Sequence, residues 1–93
     1  MKNAMLTRET MEASRPDFVR ILGEPAVAEA ERMPEDRYTE RKWDRLPELL
    51  RACGKFHDAP VFEARRSFLL GLDAELRGLL VRHLLEEARN PIL

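Results

Sequence analysis

Three groups of residues have the types and spacing that could carry chemistry. His83, Glu86 and Glu87 stand at i, i+3 and i+4, which on a helix brings an imidazole and two carboxylates onto one face. Such a face could hold a metal ion, with His57 and Asp58 as further donors. A catalytic zinc site needs three protein ligands and an open position. Carboxylate-bridged iron sites repeat a Glu-x-x-His order on paired helices. Here that order is reversed and occurs once. His83 and Glu87 are therefore kept as candidate ligands, but no metal or cofactor is expected. The plainer alternative has His83 bordering an apolar face, with Glu86 and Glu87 paired to Arg82 and Arg89.

Cys53, with His57 four residues on, offers a thiol and a base. Gly54 is expected to end a helix between them, which leaves their geometry unset. Cys53 also shares the apolar spacing of Leu46 and Leu50, and a buried cysteine behaves as a small hydrophobe. It is read as core. No serine–histidine–aspartate set, glycine-rich phosphate loop or paired-carboxylate site stands out, so a non-enzymatic protein is the leading reading.

The third group is basic. Residues 37–57 carry six basic and three acidic side chains, interleaved with Tyr38 and Trp43. Cations among aromatics could meet phosphates and bases. On that alternative, a small nucleic-acid-binding regulator, Arg37, Arg41, Lys42 and Arg45 would lie on the phosphates. Against it, residues 1–36 are net −3 and the whole chain is net −1, whereas nucleic-acid-binding domains carry a basic footprint. A helix–turn–helix across 46–53 and a helix bearing Arg65 and Arg66 would need too short a turn for the residues between, and would set Glu63 toward the duplex. The thirteen arginines against Lys2, Lys42 and Lys55 admit two explanations. One is base composition of the coding genome; the other is bidentate pairing with carboxylate or phosphate.

These residues sit on elements that the pattern predicts to be helices. The chain has 93 residues, 44% hydrophobic and 35% charged, enough for one domain spanning residues 1–93. The expected fold is all-α, a compact bundle of four or five helices with a long apolar C-terminal helix. Ser14 with Asp17 and Pro16 predicts a helix over Arg15–Leu22, stopped by Gly23. A second runs over 25–32 and ends before Pro34. A third covers 34–53, kinked or broken near Pro47, with Gly54 as its cap and 55–57 as a connector. Asp58 and Pro60 then open the final helix, which ends at Asn90 and Pro91. Gly71 and Gly78 lie inside it, and a break at Gly71 with Asp73 as a new cap is the alternative.

Apolar residues at Phe68, Leu69, Leu72, Leu76, Leu79, Leu80 and Leu84 follow one helical face. A second row, Leu70, Ala74, Val81 and Leu85, widens the arc. That row is the expected interface, because a helix so apolar needs covering on more than one side. The expected core is Phe18, Ile21, Leu22, Trp43, Leu46, Leu50, Phe62 and the first apolar row. No run approaches the roughly 18 apolar residues of a membrane span. Acids match bases over 58–93, which argues against a membrane-surface helix. Arg8, Glu9 and Glu12 interrupt any signal-like stretch. A lone cysteine favours a reducing compartment, with the cytoplasm as the default. The sum is an accessory, adaptor or regulatory protein acting through a protein partner or as a homo-oligomer.

Overall fold

The computed structural model describes residues 14–59 and 61–89. The readings at the N-terminus, at Pro60 and at Asn90 to Leu93 lie outside those residues. Six helices and no strand occur among the described residues: α1 Arg15–Leu22, α2 Glu24–Arg32, α3 Glu35–Asp44, α4 Leu46–Asp58, α5 Phe62–Gly71 and α6 Ala74–Arg89. The fold is all-helical, with six helices where four or five were expected. None is long and apolar enough to cross a membrane.

Helix α6 is the centre. It packs on α2 and α4 and more lightly on α3, while α1 packs on α2 and α4 touches α5. Leu76, Leu79, Leu80, Val81, Leu84 and Leu85 of α6 are all buried. The apolar arc is thus covered on two sides from within the chain. Val81 and Leu85, expected at an interface, belong to the protein's own core. Leu70 and Ala74 are exposed.

The 34–53 helix is two helices, broken at Arg45, with Pro47 in the first turn of α4 where its missing N–H costs nothing. The break resets the helical phase. In α3, Tyr38 turns inward and Trp43, five residues on, turns outward and is 65% exposed. In α4, Leu49, Ala52 and Phe56 turn inward and Leu50 is 59% exposed. Trp43 and Leu50 are therefore not core, and Tyr38, Leu49 and Phe56 take their place. Ile21, Leu22, Leu46, Phe62, Phe68 and Leu72 are half-buried.

Gly54 does not cap α4. The helix continues through it to Asp58, so 55–57 is helix and Asp58 is an end rather than a start. This last turn carries Phe56 into the core, its ring 6.0 Å from that of Phe18. The final apolar stretch does break at Gly71. Asp73 caps α6, its Oδ2 accepting the Leu76 N–H at 2.9 Å. Ser14 makes no such cap; its hydroxyl lies 3.5 Å from an Asp17 carboxylate oxygen. Gly23 joins α1 to α2 in a single residue at φ 92°, ψ 153°, a conformation that essentially only glycine adopts.

Helix ends are closed by arginines from further along the chain. Arg82 donates to the Ala30 and Met33 carbonyls at the end of α2, at 3.3 and 2.7 Å. Arg65 Nε donates to the Phe56 carbonyl of α4 at 2.8 Å and stacks on the Phe56 ring at 4.2 Å. Arg77 reaches the Leu69, Leu70 and Leu72 carbonyls at the end of α5. Carbonyls in a last helical turn have no intrahelical donor, so a cation there satisfies them and opposes the helix dipole.

Candidate functional site

Helices α2, α3 and the first half of α6 enclose an open cleft of about 480 Å³, within the roughly 300–1,000 Å³ of ligand clefts. Its deepest lining is Ala30 and Val81, followed by the half-buried Leu22, Met33 and Gly78. The edge is charged, with Arg37, Arg41 and Arg77 against Glu29 and Glu75. The cleft exists because α2 is alanine-rich and α6 has a glycine facing it. Small side chains on both walls let the helices approach without filling the space.

The edge arginines differ in what they hold. Arg41 donates to both carboxylate oxygens of Glu75, at 2.7 and 3.0 Å, and pairs with Asp44 at 2.8 Å. These hydrogen bonds raise its pKa and lower that of Glu75. Arg77 is engaged with the α5 carbonyls. Arg37 is exposed and makes no ion pair with another described residue.

Of the four basic candidates, Arg41 and Arg45 face this protein's own carboxylates. Arg45 forms paired hydrogen bonds with Glu48 at 2.8 and 3.0 Å and with Asp73 at 2.8 Å, and it reaches Glu75 at 3.2 Å. The pairing holds Asp73 well below the usual carboxylate range, through Arg45 first and the Leu76 N–H second. Lys42 lies over the Tyr38 ring at 5.1 Å. Lys42 is half-buried there, and Arg37 is the exposed member of the four. The interface candidates also divide: Ala74 and Val81 line the cleft, Leu70 is exposed elsewhere and Leu85 is buried.

The titratable groups near the end of α6 regroup. Glu86 pairs with Arg82 at 2.7 Å, as its spacing suggested. Glu87 meets His83 rather than Arg89, with Oε2 3.4 Å from Nε2. Because α4 is continuous through Gly54, Cys53 and His57 lie one turn apart, and Glu87 comes to them from α6. Donor atoms of Cys53, His57 and Glu87 all fall within 4.8 Å of one another. Burial raises the Cys53 thiol pKa, and Glu87 adds to the shift. The 49, 52, 56 spacing of α4 was the signal for this grouping, since it carries the helix past Gly54.

Compared with known protein families, curated proteins and solved structures, the chain matches none of them.

Proposed function

We propose that the protein is a non-enzymatic adaptor that takes a short segment of a partner protein into the cleft between α2, α3 and α6. The segment offers one or two apolar side chains to the Ala30–Val81 floor and a carboxylate to Arg37. Gly78 carries this reading. A glycine inside a helix costs about 1 kcal/mol relative to alanine. A Cβ at Gly78 would meet nothing within 4 Å, so no neighbour among the described residues requires glycine there. What the residue does is keep the cleft open. Arg37 adds a cation with no partner among the described residues, and a lone cysteine suits work in the reducing cytoplasm.

Panning a displayed peptide library against the protein tests the reading. Enriched peptides are expected to place apolar residues beside Asp or Glu. They should bind at least tenfold more weakly to Gly78→Leu, which fills the cleft from α6, and to Arg37→Glu. Peptides that bind Gly78→Leu as tightly as the parent protein would end this reading. A concentration-dependent dimer, dissociated by Trp43→Ser or Leu50→Ser and indifferent to Gly78→Leu, would replace it with self-association. Nucleic-acid binding that falls steeply with salt would replace it with the basic-segment reading.

A further inference from the structure

We infer that Cys53, His57 and Glu87 form a binding site for one divalent ion of the zinc type. Two of the three donors are fixed by α4, at i and i+4 on one face. The third comes from α6, which packs along α4. One donor atom from each residue lies within 4.8 Å of the other two. Around zinc at ordinary bond lengths, neighbouring donors sit roughly 3.3–3.7 Å apart. Closing the trio therefore takes about 1 Å of side-chain movement. His57 and Glu87 are exposed, so their side chains can make such a movement at the surface.

The donor set selects the ion. Calcium and magnesium take oxygen ligands, whereas thiolate, imidazole and carboxylate together suit a borderline ion such as zinc. Coordination would draw the proton from the Cys53 thiol as the Sγ–metal bond forms, releasing it to solvent. His83 supplies the outer support. Its Nε2 lies 3.4 Å from Glu87 Oε2, so it can hold one carboxylate oxygen while the other faces the ion. His83 is thus a positioning residue. Three protein ligands leave a fourth position open to water on the solvent side. An ion here would pin α4 to α6 near the ends of both helices, beyond the cleft and independent of what occupies it.

The test is a titration of the untagged, chelator-treated protein with Co²⁺, followed by displacement with Zn²⁺. The expected result is one equivalent bound, a near-ultraviolet thiolate-to-cobalt charge-transfer band, and a thermal midpoint that rises with zinc and falls back with chelator. His57→Ala and Glu87→Gln should each weaken zinc binding at least tenfold with unchanged helical circular dichroism, and Cys53→Ser should remove the band. His83→Ala should cost about tenfold through the orientation of Glu87. Absence of the band, or zinc affinity unchanged in His57→Ala and Glu87→Gln, would overturn the proposal.

Discussion

Arg82 serves four acceptors from one position that is 8% exposed: the Ala30 and Met33 carbonyls and the Glu35 and Glu86 carboxylates. Its plane also lies 4.4 Å from the centre of the Tyr38 ring. Desolvation pulls its pKa down, but the carboxylates of Glu86 and Glu35 outweigh that and the net shift is upward. A flat fork of five donors fits this place; an ammonium does not. Arg82→Ala should cost about 3 kcal/mol, because it leaves the Ala30 and Met33 carbonyls without their donor and removes the side chain packed on Tyr38, whereas Glu35 and Glu86 stay hydrated. Arg82→Lys should lose roughly half as much, since charge survives but the fork does not. Urea unfolding of both variants gives the comparison, and parity of Lys with the parent protein would show that charge alone matters. The excess of arginine over lysine was legible in the composition, and the fold uses it in bidentate pairs at Arg15, Arg41 and Arg45 and in a fork across separate acceptors at Arg82. That Arg82 is buried was not legible, because the carbonyls it meets lie 49 and 52 residues away.

At the scale of elements, periodicity read helix type well and phase poorly. The bounds of α1 came out as expected because Pro16 and Gly23 mark both ends. The 34–53 stretch failed in phase because a single turn at Arg45 rotates everything after it, exchanging Leu50 for Leu49 on the inner face. Gly54 misled for the opposite reason: a glycine at negative φ continues a helix whose other residues are anchored in the core. The α5–α6 junction shows a cap whose strength depends on charge. Asp73 is held below its ordinary range by Arg45 and the Leu76 N–H, and Glu75 and Glu48 are shifted the same way by Arg41 and Arg45. A depressed carboxylate stabilises the fold fully above its unfolded pKa of about 4 and loses that contribution as pH falls toward its folded value. Urea midpoints should therefore drop between roughly pH 5 and pH 3. Asp73→Asn should flatten part of that slope while keeping the cap, and Asp73→Ala should cost about 1 kcal/mol at neutral pH. An identical slope in Asp73→Asn would remove the charge from this account.

For the whole molecule, the sequence made the all-helical class plain and the interior misleading. The wide apolar arc of α6 looked like a surface awaiting a partner, because its cover is inconspicuous. On α2 that cover is Val27 and Ala30, two small residues whose value is close approach rather than area. The cleft was invisible for the same reason, since it depends on which small residues end up opposite each other. With six buried apolar residues on α6, a chain ending at Gly71 should show little helical circular dichroism and no cooperative thermal transition. A sharp transition in that truncated chain would mean that α1–α5 hold a core of their own.

The arginine closures also impose an order in time. A ribosome delivers α2 long before Arg82, α4 before Arg65, and α5 before Arg77. Each helix is therefore made with its final carbonyls open, and waits for a side chain not yet translated. The longest wait belongs to α2, which stays unsealed until the first half of α6 has cleared the exit tunnel. Nascent chains of this protein should accordingly gain protease resistance in one late step as Arg82 emerges, rather than helix by helix.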